Sequence, residues 1–175
     1  MEIKVIDEAA KMDVKLKNEP FALVGRMIPS FVNEQWDYQI RLFSDGEISE
    51  MCFPDEDYDF DIMKNDTVFI GAYAEGSCVG LAVMQDHWFR YMYLSDLKVL
   101  SAYRHQGVGQ ALMEKAKEIA VSKGYRGIYT VGQDNNLNAC KFYIKSGFRI
   151  GGFDNCVYLG TSQEGKADIL FYFDC

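Results

Sequence analysis

Arg104-His105-Gln106-Gly107-Val108-Gly109 decides the fold, because this run sits where an apolar strand gives way to a helix. Upstream, Tyr91 to Leu100 (YMYLSDLKVL) has the aromatic and aliphatic content of a buried strand. Downstream, Val108, Ala111, Leu112, Ala116, Ile119 and Ala120 recur at helical spacing and Gly124 supplies a stop, predicting a helix over 107–123. A strand, a glycine-punctuated turn and a helix start leave free backbone N–H groups, reinforced by the helix dipole, that suit a phosphate or pyrophosphate. Gly107 and Gly109 permit close backbone approach and Arg104 adds a fixed positive charge; His105, Gln106, Val108 and Gln110 complete the loop. No Gly-Lys-Ser/Thr follows, which speaks against a Walker A site, and the third glycine of a dinucleotide fingerprint is missing. Taken alone, the run reads most simply as a tight turn with no ligand. A second motif, one strand later, changes that reading.

That motif follows a strand-like stretch, Gly127 to Gln133, and comprises Asn135-Asn136-Leu137-Asn138-Ala139-Cys140-Lys141-Phe142-Tyr143, ending in Ser146-Gly147-Phe148. It predicts a helix over 136–145, capped by an asparagine and stopped at Gly147. RxxGxG at a strand–helix junction followed by NxxAxxFYxxxGF resembles the GNAT superfamily of acyl-CoA-dependent N-acetyltransferases. The resemblance implies that Arg104, Gly107, Gly109 and their loop grip the pyrophosphate of coenzyme A. It also implies that Asn136 lies near the cofactor and that Tyr143 protonates the leaving thiolate. Around Leu97, Lys98 and Val99 it implies backbone contacts to the pantetheine arm and to the thioester oxyanion, on a strand that splays from the next. The flanks are more specific. Glu19-Pro20-Phe21-Ala22-Leu23-Val24-Gly25-Arg26-Met27-Ile28-Pro29, Asn33-Glu34-Gln35-Trp36 and Gln133 to Gly152 are similar to the streptothricin (nourseothricin) acetyltransferases, nearly end to end.

Composition is compatible with this. The 175 residues suffice for one domain, 1–175, with a real core, and 49% hydrophobic with 14% aromatic residues fit a globular chain. No apolar run approaches the ~20 residues of a membrane span, and no signal-peptide pattern precedes Glu2-Ile3-Lys4, so a cytoplasmic location is expected. Five scattered cysteines (Cys52, Cys78, Cys140, Cys156, Cys175) and two histidines (His87, His105) suggest reduced thiols and no metal. A formal net charge of -8 disfavours nucleic acid and suits a cationic small molecule or basic peptide. The densest acidity, Asp55, Glu56, Asp57, Asp59 and Asp61 around Tyr58 and Phe60, reads mainly as a solvated loop and alternatively as a negative rim for an amine.

Along the chain, 2–7 reads as a strand and 20–43 as mixed, with an alternating stretch from Trp36 to Leu42. Residues 67–74 and 78–84 flank Glu75-Gly76-Ser77 as a hairpin, and strands are expected at 91–100 and 127–132. Phe148–Asp154 and Cys156–Leu159 look like a second hairpin, with a last strand at 168–173. The expected class is α/β (α+β), a mixed, mostly antiparallel GNAT-like sheet of six to seven strands flanked by helices.

Acetyl transfer from a thioester to an amine needs a free-base nucleophile, although a lysine-like amine has a pKa of about 10.4. It also needs a donor for the oxyanion and an acid for the thiolate. Tyr143 is the candidate acid. For the base, Asp96 and a water relay stay open, with Asp96 equally readable as an orienting carboxylate. Cys140 reads as helix core. On the substrate side, Trp36 and Tyr38 could pack on a ligand, with Trp36 more simply read as core, and Glu34 and Asp37 could hold an ammonium. The leading expectation is acetylation of the β-lysine amine of streptothricin. Alternatives are a polyamine, an aminoglycoside-like antibiotic or a protein N-terminus as acceptor, a non-catalytic acyl-CoA-binding regulator, and either a monomer or a homodimer.

Overall fold

The computed structural model describes residues 1–175. Its contacts group into two compact units: Met1–Glu19, Cys52–Ile128 and Cys175 in the first, Pro20–Met51 and Tyr129–Asp174 in the second. Seven strands make the mixed, mostly antiparallel sheet expected from the sequence.

In the first unit, β1 (Glu2–Val5) leads into a 3-10 helix, Glu8–Lys15, whose N-cap Asp7 accepts hydrogen bonds from the N–H groups of Ala9 and Ala10. After four strands that belong to the second unit, the chain returns here in the one-turn helix α1 (Phe60–Met63). Then come β6 (Thr67–Ala74), β7 (Ser77–Gln85), β8 (Tyr91–Val99) and helix α2 (Val108–Ser122). The strand order is β1-β6-β7-β8, and neighbouring strands run antiparallel. Glu75 (φ 50°) and Gly76 (φ 81°) make the β6–β7 connection, the left-handed pair that a two-residue hairpin of this twist requires. Beneath lies a core of Ile6, Val14, Phe69, Leu81 and Val83. The buried face of α2 is Val108, Leu112, Met113, Ala116 and Ala120, the spacing anticipated from the sequence.

The second unit opens with β2 (Phe21–Leu23), paired antiparallel with β5 (Ser49–Met51). Between them β3 (Gly25–Val32) and β4 (Gln35–Leu42) form a two-stranded ribbon turned by Asn33 (φ 51°) and Glu34 (φ 62°). Then come β9 (Gly127–Gln133), whose first two residues belong to the first unit, helix α3 (Leu137–Lys145), β10 (Arg149–Asp154) and β11 (Asp168–Asp174). The order here is β9-β11-β10.

Two expectations need correction. Cys156–Leu159 is not a strand, and β10 pairs with β11 instead. Asp154 Oδ1 accepts from the N–H groups of Cys156 (2.8 Å) and Val157 (3.1 Å), and Leu159 N–H bonds to the Cys156 carbonyl, so a side-chain-templated turn takes up the backbone donors a strand would use. Trp36 is not a core residue: it is half-buried on the ribbon with its ring 5.0 Å from that of exposed Phe31. A two-stranded ribbon has no second layer to enclose a large side chain.

The ribbon is fastened at its root. Gly25 bridges to Asn136, and Met27 N–H donates to the Asp134 carbonyl. A Cβ at Gly25 would lie 2.5 Å from the Arg41 carbonyl oxygen and 2.9 Å from Leu137 Cδ2. Gly25→Ala is therefore expected to cost about 1–3 kcal/mol by overpacking and to lower the melting temperature in a calorimetric scan. Gly46→Ala, with nothing within 4 Å, is the control that stays put.

Candidate active site

The loop that follows β8 is built around the start of α2. Ser101–Tyr103 forms one 3-10 turn, His105 is left-handed at φ 60°, and Gly107, the N-cap of α2, lies at φ 85°. No side chain caps the helix, and a Cβ at Gly107 would meet nothing within 4 Å. Ala111 N–H bonds back to the Gly107 carbonyl, and helix geometry leaves the amides of Val108 and Gly109 before it without an intrahelical acceptor. An open, uncapped helix start of this kind fits the pyrophosphate of a coenzyme A thioester. Val108 itself is buried, and Gln110 reaches along the helix to Glu114. Gln106 donates to the Ala102 carbonyl and so braces the loop from within.

Arg104 is partly committed elsewhere. Its Nε donates to the Val99 carbonyl (2.9 Å), and its guanidinium reaches Glu19, both at the backbone carbonyl (3.5 Å) and at the carboxylate (3.7 Å). Glu19 also accepts from Ser101 N–H. Arg104 thus ties the end of β8 to the entry of the loop.

On β8 the pairing with β7 shifts between Val83 and Met84, opposite Ser95, so a bulge precedes Asp96. Asp96 and Lys98, two residues apart, share a face; Leu97 and Val99 pair with Ala82 and Gly80 of β7. Lys98 Nζ lies 2.9 Å from Asp96 Oδ2 and bonds to Glu56 Oε2, and Tyr58 O–H donates to Asp96 Oδ2 at 3.3 Å. The side chains of Lys98 and Asp96 are only 10% and 14% exposed. Burial pushes the Asp96 carboxyl above the usual range; Lys98 opposes the shift without cancelling it. Burial works against the Lys98 charge, yet Asp96 and Glu56 together hold its pKa above the ordinary value.

This cluster revises the picture of the acidic segment. Asp55, Asp57 and Asp61 are matched by Lys17, Lys15 and Lys11, Asp59 caps α1, and Glu56 turns inward to Lys98. The Lys98 side chain was missed at the sequence level; its place two residues after Asp96 on one strand face was the available signal.

In the second unit Asn136 caps α3, its Oδ1 accepting from Ala139 N–H at 3.3 Å. Tyr143, 8% exposed, is wedged between the rings of Phe142, Phe148 and Phe171 at 5.3–5.7 Å, which fixes its direction. Cys140 is buried and its thiol is pushed up to about 12 by burial, in keeping with a core role. The four ribbon candidates do not converge: Trp36 and Tyr38 share one face with Phe31, Asp37 alternates to the other, and Glu34 sits in the turn. No three His, Cys, Asp or Glu side chains gather in metal-binding geometry.

Residues 28–148 match the acetyltransferase (GNAT) family. The chain belongs to that family and is an acetyl-CoA-dependent N-acetyltransferase. It is 34% identical to streptothricin acetyltransferase A of Bacillus subtilis (strain 168) over 163 residues, 92% of each chain. It is 29% identical to a streptothricin acetyltransferase of Escherichia coli over 99% of this chain and 95% of that one. Among solved structures it is similar to a protein of Bacillus anthracis str. Ames assigned as a streptothricin acetyltransferase, in complex with acetyl coenzyme A. That likeness has a TM-score of 0.86, 27% identity and 99% coverage of both chains.

Removing the Lys98 ammonium leaves the largely buried Asp96 and the half-buried Glu56 without their shared counter-ion. Lys98→Met is expected to cost about 3 kcal/mol in urea denaturation, with Lys98→Arg recovering most of it. Equal stability of the Met variant and the parent would remove the ion pair from the fold's supports.

Proposed function

We propose that the chain transfers the acetyl group of acetyl-CoA to the β-lysine amine of streptothricin and so inactivates the antibiotic. The observation that carries this reading is the similarity to streptothricin acetyltransferase A of B. subtilis along 92% of the chain. The charge of -8 is consistent with a polycationic acceptor drawn in by the protein's field.

Acetyl-CoA supplies the activated acyl group as a thioester. The first-turn amides of α2 (Gly107, Val108, Gly109 and Gln110), with His105 and Gln106 shaping the loop, hold the pyrophosphate, and Arg104 keeps that loop against β8. The backbone of Leu97 to Val99 orients the pantetheine arm and steadies the oxyanion. Asn136 borders the cofactor from the cap of α3.

The acceptor amine must lose a proton before it attacks. Asp96 suits that duty, because its raised pKa makes it a stronger base than an exposed aspartate, and Lys98 and Tyr58 both occupy Oδ2, leaving Oδ1 for the amine. Nitrogen attack at the carbonyl carbon forms the C–N bond, the C–S bond breaks, and Tyr143 O–H protonates the departing sulfur. Direct transfer in a ternary complex needs no covalent enzyme intermediate.

Thiol release from acetyl-CoA with streptothricin, beside spermidine and a basic peptide, tests the substrate; release with the controls alone would strike streptothricin. Tyr143→Phe is expected to lower kcat by about 100-fold with acetyl-CoA affinity retained. An unchanged kcat across pH would remove Tyr143 as the acid.

A further inference from the structure

Hydrogen-bond polarity in the second unit can be followed from a residue whose role admits no choice. The Lys166 ammonium can only donate, and it lies 3.0 Å from Gln163 Oε1. That oxygen also receives Gln133 Nε2 at 3.1 Å, so the side-chain amide of Gln133 is oriented with its nitrogen toward Gln163. The same nitrogen donates to the Tyr158 oxygen at 2.8 Å, and Tyr158 O–H is therefore passed on to Asp168 Oδ1, also at 2.8 Å. The donors of Gln133 and Tyr158 are thereby spent. What is left over is acceptor capacity: Gln133 Oε1 is buried with no partner, and Asp168 accepts the Tyr158 bond at Oδ1, leaving Oδ2. Two residues beyond Gln133, the Oδ1 of Asn135, a residue 5% exposed, is likewise buried and unpartnered.

The charge balance at this place has the same sign. Asp154 of β10 stands directly opposite Asp168 of β11 in the antiparallel register, a like-charge pair that a sheet ordinarily avoids. Neither makes an ion pair with a cation. Asp154 Oδ1 serves the Cys156 and Val157 amides, and Asp168 has Tyr158 alone. Buried Asp134 is different, since Arg26 Nε lies 3.3 Å away, close enough for an ion pair though not aligned as a hydrogen bond. Lys166 is engaged with Gln163 and the Met51 sulfur.

The geometry points to a subsite for a protonated primary amine at Asp168, Asp154 and Gln133, which holds one ammonium group of a multiply aminated acceptor. An ammonium supplies three N–H donors and one positive charge, the complement of what the site lacks; a metal ion is disfavoured, because these carboxylates do not gather as ligands. This inference rests on the acceptor being a polyamine-like molecule, as proposed above for the β-lysine arm. It implies a preference for acceptors with at least two amines. The groups facing Asp168 are Tyr158, Asp154 and Asp134, and burial together with the two carboxylates keeps its pKa above the ordinary range. Its charge is thus lost on acidification at a higher pH than an exposed aspartate would give, and acceptor affinity falls with it.

The test is a calorimetric titration of streptothricin into protein saturated with coenzyme A, comparing the parent with Asp168→Asn and Gln133→Met. Asparagine still accepts from Tyr158 O–H but carries no charge. Asp168→Asn is expected to weaken binding about 10- to 100-fold and to lose the acid-side fall in affinity. Thermal stability should stay equal or rise, because the repulsion with Asp154 is relieved. Gln133→Met should weaken binding by a smaller factor. Unchanged affinity in Asp168→Asn, or affinity and stability falling together, overturns the subsite. Wild-type thiol release with streptothricin judges the substrate separately. If streptothricin neither binds nor reacts, the same variants titrated with 1,5-diaminopentane decide the subsite: weaker binding in Asp168→Asn supports it, and equal or absent binding rejects it.

Discussion

The packing of the first turn of α2 against Gly80 of β7 sets the position of everything at the cofactor end. A Cβ at Gly80 would lie 3.1 Å from Leu112 Cδ1 and 3.3 Å from both Val108 Cγ1 and the Lys98 carbonyl oxygen. A side chain at this position would push Leu112, Val108 or the β8 backbone back by a few tenths of an ångström. Once Val108 is pinned there, the N-terminus of α2 has one direction, and the left-handed Gly107 before it leaves the end open. The helix dipole and the first-turn amides then act at a fixed place rather than at a fraying end. A chain that capped this helix with Ser or Asp would be more stable and would have used the donors that an anion needs.

Acidic residues outnumber basic ones by 26 to 18, yet the excess is handled in different ways. Along 55–61, Asp55, Asp57 and Asp61 are neutralised locally by Lys17, Lys15 and Lys11 of the N-terminal segment, and these exposed pairs contribute little to stability one at a time. Asp96 and Glu56 share the buried Lys98, an arrangement that costs desolvation but is severe to break. Asp154 and Asp168 have no such counter-ion.

The parts of the fold most legible in the sequence were those whose signal is local. The 3.6-residue recurrence in α2, the Glu75-Gly76 turn and the Asn136 cap each follow from a few neighbouring residues, and all appear in the structure. Non-local pairings were harder. Cys156–Leu159 carries strand-like residues, but Asp154 commits the backbone to a turn before they can pair, and Asp168 begins the true partner strand of β10. Trp36 alternates as a core residue would, yet its ribbon lacks a covering layer. The 3-10 helix at 8–15 is short and weakly patterned, and depends on the Asp7 cap and the Val14 anchor. The glycine turn at Gly107 and the Asn136-capped helix that carries Tyr143 were readable from motif spacing. The contacts of Lys98 with Glu56 and of Tyr158 with Asp168 join distant segments, and no periodicity announces them.

The central claim is that the open start of α2 receives the pyrophosphate of acetyl-CoA. The most direct measurement is a backbone-amide NMR titration of the protein with acetyl-CoA. The account predicts that the largest shifts, and slowed amide exchange, fall on Gly107, Val108, Gly109 and Gln110. Binding that leaves these four amides unshifted would contradict it.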